Sequence, residues 1–292
     1  MRGYSSLHPV VVFIHFTAVM VFVMFINNPV ILIASLIGAC LWRFMNDRRQ
    51  CIKNMPFDLF VFIILAAANP LFNHKGNTVL FFMNGKAITL EAAVYGIFTA
   101  IMMIAVLHWC RIFTKIMTSE KLLFLFGKIS SNLSLVLSMA LRYIPMLRRQ
   151  AIKANNTQTA MGFYSKDDYI DKIKGRMRVF SILVTWSMEN AIDTANSMRA
   201  RGYGKGKRTQ FSVFRMTKED YLVLLGTIVF SAIVIIGYTT GEVQFNYYPK
   251  LSLVSASAAA NMVYIAYGLL VMLPSGLEAK EKLKWTYYRS KI

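Results

Sequence analysis

Apolar residues in this chain fall into long runs separated by short polar breaks, and the length of each run matters more than its periodicity. The first run, Val10 to Ile26, meets Asn27-Asn28-Pro29, and a second returns through Val30 to Phe44. A turn flanked by two such runs predicts a helical hairpin. No small-residue cleavage pattern follows the first run, so it reads as a membrane helix and not as a signal peptide. A basic stretch, Arg48-Arg49-Gln50-Cys51-Ile52-Lys53, reads as a loop. Arg43, at the end of the short second arm, is expected to snorkel toward the headgroups. Two more runs, Phe57 to Phe72 and Ala87 to Cys110, flank Asn69-Pro70 and Asn73-His74-Lys75-Gly76-Asn77 and predict a second hairpin. The last pair, Tyr221 to Tyr238 and Leu251 to Leu273, is separated by a turn through Gly241 to Lys250.

Charge sets the orientation. With about six crossings, the basic stretches Arg43 to Lys53, Arg111 to Lys218 and Lys280 to Lys291 all fall on one side, while the opposite loops are nearly neutral. The positive-inside rule makes that side cytoplasmic, with both termini there. The expectation is an all-α polytopic protein of the cell (inner) membrane. N-terminal transmembrane helices occupy 1–110, a cytoplasmic coupling region of long crossing helices 111–218, and C-terminal transmembrane helices with a cytoplasmic tail 219–292.

Composition agrees with the bilayer as solvent. The 292 residues are 56% hydrophobic and only 16% charged, a share too small to cover a water-soluble surface. The net charge of +19 could suggest nucleic-acid binding, but loop charge in a membrane protein accounts for it. Cys40, Cys51 and Cys110 are far apart, as are His8, His15, His74 and His108, so neither a disulfide framework nor a metal site is expected. Glu91 follows Thr89 and reads as a first-turn acid that complements the helix dipole.

Nearly half of the 33 basic residues lie between Arg142 and Lys218. There, Arg142-Tyr143-Ile144-Pro145 is expected to open a helix, with Pro145 at its first position. That helix ends in Ala160-Met161-Gly162, and a second, from about Arg178, ends in Ala200-Arg201-Gly202-Tyr203-Gly204. In both a glycine follows the last helical residue, where a left-handed cap needs no Cβ. Ser187, Ala191 and Ala195 recur at spacing four and offer a small-residue stripe on which another helix could cross, bringing the two C-terminal ends together. Arg201 by itself is what any helix C-terminus prefers. Gly204-Lys205-Gly206-Lys207-Arg208-Thr209 lacks the phosphate-loop spacing and follows a helix instead of a strand, so no ATP site is expected in this chain.

Arg142-Tyr143-Ile144-Pro145, the helix ends Ala160-Met161-Gly162 and Ala200-Arg201-Gly202-Tyr203-Gly204, and His8-Pro9 with Asn28-Pro29 together resemble the transmembrane T component of energy-coupling factor (ECF) ABC transporters. The resemblance runs in order along essentially the whole chain. It implies two coupling helices crossed in an X, each Ala-Arg-Gly end docking into a groove on one of two ABC ATPase subunits. Arg201, between Ala200 and Gly202, would take that role, and Met161 stands where the family has arginine. It further implies a non-catalytic subunit without cofactors. Its partners would be the ATPases, a substrate-binding membrane (S) component that captures a vitamin or metal ion, and the lipid bilayer.

Other classes fit less well. A self-sufficient carrier or channel needs paired ionisable residues or broken helices deep in the spans, and only Glu91 and His108 qualify. An intramembrane enzyme needs a nucleophile–base pair or metal cluster, and none is evident.

Overall fold

In the computed structural model, which describes residues 4–73, 76–83, 86–162, 169–206 and 214–290, helices begin where local capping chemistry starts them. The α1 helix (Pro9–Phe25) has His8 as its cap, with Nδ1 accepting the Val10 N–H at 3.3 Å and Pro9 at the first position. Asn28 caps α2 (Pro29–Phe72) in the same way at 3.0 Å. In both, proline sits where its missing N–H costs nothing. Asn28 also donates to the Val243 carbonyl at 3.0 Å and to the Tyr264 hydroxyl at 3.1 Å, fixing the first turn to distant parts of the chain.

The α2 helix departs from the expected hairpin. Its 44 residues would span about 66 Å, roughly twice the hydrocarbon thickness, and it unites the second and third apolar runs. The basic stretch from Arg48 to Lys53 is helical because Arg, Gln and Lys are good helix formers and no glycine interrupts them. A single residue leaves helical geometry, Asp47 at φ −139° and ψ 54°, and the helix bends there. Asn69-Pro70 is likewise inside α2, which ends at the Asn73 cap.

A two-stranded antiparallel ribbon follows, β1 (Val79–Met83) with β2 (Lys86–Thr89), in a segment expected to be part turn and part helix. β-Branched and aromatic residues at Val79, Phe81, Phe82 and Ile88 favour it. The α3 helix (Leu90–Ile116) opens as expected, with Thr89 Oγ1 accepting the Ala92 N–H and Glu91 in the first turn. Glu91 is buried and also accepts the Thr78 N–H at 3.2 Å, tying the strand ribbon to the helix start.

Next come α4 (Ser119–Ile129), α5 (Ser131–Ala160), α6 (Tyr169–Ala200), α7 (Lys218–Thr239) and α8 (Ala258–Arg289). Pro145 lies inside α5 and not at its start, because the apolar stretch before it is already helical from the Ser130 cap. α6 starts at Tyr169, earlier than Arg178. α8 begins at its Ser257 cap, later than Leu251, and the charged tail continues it as helix to Arg289. Thr217 caps α7, and its N–H donates to Asp220 at 2.8 Å; the other Asp220 oxygen accepts the His8 N–H at 2.8 Å. One carboxylate thus anchors the starts of α7 and α1.

The chain forms two compact units, Met1–Thr118 with Phe214–Ile292, and Ser119–Val213. In the first, Val11, Phe16, Val19, Trp109, Tyr267 and Leu270 form the interior, and Trp109 donates to Ser35 at 2.9 Å. Its outer faces carry Phe25, Ile37, Phe60, Ile63, Leu225, Ile236 and Ile265, all exposed. A rim this apolar is stable against lipid tails and not against water. Among the described residues four helices are long and apolar enough to cross a membrane, α2, α3, α7 and α8, with α1 a shorter apolar helix. With α2 counted as two apolar halves about Asp47, the six expected stretches are present in five helices.

Close helix approach in this unit rests on glycines: Gly38 faces Val271, Gly237 faces Val263, and a Cβ on Gly96 would stand 2.7 Å from the Ala66 carbonyl oxygen. A backbone atom cannot swing aside, so Gly96→Ala must part α3 from α2 at a cost of about 1–3 kcal/mol. Gly268 of α8 has open space, and Gly268→Ala serves as the control. Thermal unfolding in detergent should show the first destabilised and the second unchanged; equal midpoints would refute the close approach.

Candidate coupling site

The second unit carries the residues singled out from the sequence. α5 and α6 pack side by side: Tyr143 Oη bonds Thr194 Oγ1 at 2.7 Å and reaches the Asn190 carbonyl at 3.5 Å, and Arg178 donates to Gln158 at 3.3 Å. As position advances along α5 its partner recedes along α6, so the two helices run antiparallel. Their C-terminal ends therefore lie at opposite ends of the pair and not together, separated by roughly 23 residues of helix, about 35 Å at ~1.5 Å per residue.

The expected crossing stripe is displaced. Ser187 is half-buried, but Ala191 and Ala195 are exposed. The packed face is the adjacent row through Asn190, Thr194 and Met198, which is turned about 100° per residue from the small-residue row. Hydrogen bonds from Tyr143 select that row, so polar pairing sets the contact where small-residue packing was expected.

Both tripeptides close their helices with the same backbone device. Met161, the cap of α5, donates to Thr157 O at 3.0 Å, and Gly162, at φ +71°, donates to Thr159 O at 3.1 Å. At the end of α6 Arg201 donates to Ser197 O at 3.1 Å, Gly202, at φ +79°, to Arg199 O at 2.9 Å, and Tyr203 to Met198 O at 3.0 Å. These last two bonds make a Schellman cap, which needs a left-handed residue at the position of Gly202. A Cβ on either glycine would meet nothing within 4 Å, so glycine is required there by backbone conformation and not by crowding. The ends are open: Met161 is 63% exposed, and Ala160, Ala200 and Arg201 are exposed.

Arg201 also borders a groove of about 530 Å³ between α5 and α6, shared with Arg142, Asp193, Ser197 and Met198. Arg142, noted in the sequence beside Pro145, is thus brought to the arginine tripeptide. The glycine-rich stretch after Gly206 and His74 lie outside the described residues.

Sequence reasoning missed a buried polar cluster in the first unit. Asp58 lies near the start of the third apolar run. It accepts two bonds from Arg111, at 2.7 and 3.0 Å, and lies 3.7 Å from Arg43 and from His108 Nε2. Arg43 also contacts His108 Nδ1, and Lys115 contacts Asp47. Arg43 is 5% exposed, so it does not snorkel; a carboxylate on the returning half of α2 holds it inside. The available signal was a lone acid at the edge of an apolar run, which seldom occurs without a partner. The described residues bring no three metal-ligating side chains together.

An all-α bundle with a lipid-compatible rim, and a helical hairpin unit ending in two exposed glycine-capped tripeptides, define a polytopic membrane protein. The model of the CbiQ family, described as cobalt transport protein, matches residues 4–213, and the chain belongs to that family. Its relatives include the energy-coupling factor transporter transmembrane protein EcfT of Listeria innocua, 27% identical over an alignment of 254 residues, gaps included, that covers 79% of this chain and 93% of the relative. The proteins of the same name from Lacticaseibacillus paracasei and Lactobacillus helveticus are 30% identical over 108 residues and 33% identical over 95 residues. Those matches cover 36% and 32% of this chain, which spans only 41% and 34% of the two relatives.

Proposed function

We propose that the chain is the non-catalytic transmembrane coupling subunit of an ECF-type ABC importer in the cell membrane. It transmits ATP-driven motion from two cytoplasmic ATPase subunits to a separate S component that takes up a vitamin or metal ion. The observation that carries this reading is the pair of matched, exposed helix ends at opposite ends of one hairpin. Two well-separated contacts suit two ATPase subunits. Both termini and the hairpin unit face the cytoplasm in this reading, as the basic stretches require. Exposed Val136, Ile144, Ile152, Phe180, Met188 and Ile192 on the hairpin helices supply apolar surface for partner subunits.

The two docking ends differ in chemistry. Arg201 gains from a fixed carboxylate, whereas Met161 gains only from apolar packing, so the two grooves that receive them differ. Met161→Asp places a charge on an apolar contact and is expected to abolish co-purification of one ATPase, while Met161→Leu stays near wild type. Raising salt should loosen the Arg201 contact more than the Met161 contact. Affinity purification of tagged chain from its native membrane, followed by identification of the bound ATPases, reads all three. Normal recovery of both ATPases with Met161→Asp would remove Met161 from any interface.

A further inference from the structure

We propose that the pocket at the bend of α2 binds a phosphate-bearing anion, either the headgroup of an anionic phospholipid or free phosphate. The pocket holds about 420 Å³ and is bordered by Arg43, Asp47, Gln50 and Asn54 of α2 and by Arg111 and Lys115 of α3. That volume is in the range of small-ligand sites, roughly 300–1,000 Å³.

Charge around the pocket does not cancel. Arg43 and Arg111 share the single carboxylate of Asp58. His108 does not offset this excess, because an imidazole carries no negative charge; its Nδ1 faces Arg43 and its Nε2 faces Asp58. Lys115 is matched by Asp47 and, on its other side, borders a smaller cavity with Glu278 of α8. Arg43 and Arg111 are therefore two cations held by one anion, with Arg43 almost wholly removed from solvent. A buried cation in excess is costly unless an anion joins it, and the guanidinium fork fits phosphate oxygens in pairs. Gln50 and Asn54 add amide donors at the rim.

Position favours the same chemistry. The pocket lies where the apolar run ending at Phe44 gives way to the polar stretch Asn46 to Asn54, and where α3 passes from Cys110 to Arg111. Such a boundary sits at headgroup depth, where basic pockets between membrane helices take up lipid phosphates. This inference does not depend on the coupling reading.

The test uses full-length protein, freed of native lipid in neutral detergent, and compares phosphatidylglycerol, phosphatidylcholine and inorganic phosphate by native mass spectrometry and thermal shift. Retention and stabilisation by phosphatidylglycerol over phosphatidylcholine, with no effect of phosphate, assigns a lipid headgroup; stabilisation by phosphate alone assigns the free anion. Gln50→Glu changes an exposed rim residue, and its added negative charge is expected to weaken anion binding about tenfold. Lys250→Glu, outside the pocket, should leave binding unchanged. Equal retention of both lipids with no phosphate effect, or undiminished anion binding in Gln50→Glu, overturns the proposal.

Discussion

Asp58→Asn is expected to produce the largest loss of stability of any single change in the membrane unit. The substitution keeps volume and shape but leaves Arg43 and Arg111 without their shared carboxylate, and breaking a buried ion pair from one side costs about 3–5 kcal/mol. Arg43 bears most of that cost, because it is 5% exposed whereas the Arg111 side chain is 30% exposed. Replacing both partners should recover part of the loss, since Asp58→Asn with Arg43→Met removes the stranded cation along with its counter-charge. The measurement is thermal or denaturant unfolding in detergent for the single and double variants. A single variant as stable as wild type would show that Asp58 does not neutralise the cluster.

Arg201→Ala has the largest expected effect on assembly. If Arg201 is desolvated against a carboxylate on an ATPase, truncation strands that carboxylate and costs about 2–5 kcal/mol. If it only complements the α6 dipole, the loss is about 0.3–1 kcal/mol. Arg199, in the last turn of the same helix, provides the comparison, because it shares the dipole but not the tripeptide. Titration of ATPase against the variants in detergent should show Arg201→Ala weakened far more than Arg199→Ala. Equal and mild losses would leave Arg201 with the capping role alone.

The legible parts of the molecule were those decided within a few residues. Thr89 with Glu91 announces a helix start, and Gly162 and Gly202 announce helix ends, because caps are closed by neighbours in sequence; His8-Pro9 and Asn28-Pro29 obey the same rule, although the sequence showed only a turn at the second. Apolar run length gave the all-α membrane class for a similar reason. Loop assignment failed at Arg48 to Lys53, where charge was taken as a break although helix propensity stayed high, and again at Asn69-Pro70. The partner of Arg43 is 15 positions away and those of Tyr143 are about 50 away, and no local pattern encodes such pairings. The same applies to the direction of α5 against α6: spacing shows that a face is small, but which helix meets it, and which way it runs, depends on polar contacts formed only after folding.

The antiparallel pairing of α5 and α6 has a mechanical consequence. A stiff beam pinned near both ends can neither shorten nor stretch, so when one support shifts sideways relative to the other it must rotate. If each tripeptide is held by a different ATPase, moving one support across the beam axis by about one helical turn, ~5.4 Å over a beam of about 35 Å, tilts it by about 9°. Displacement then grows along the beam from the fixed end to the moving one, so motion at one ATPase is carried the length of the hairpin without either helix changing its own conformation.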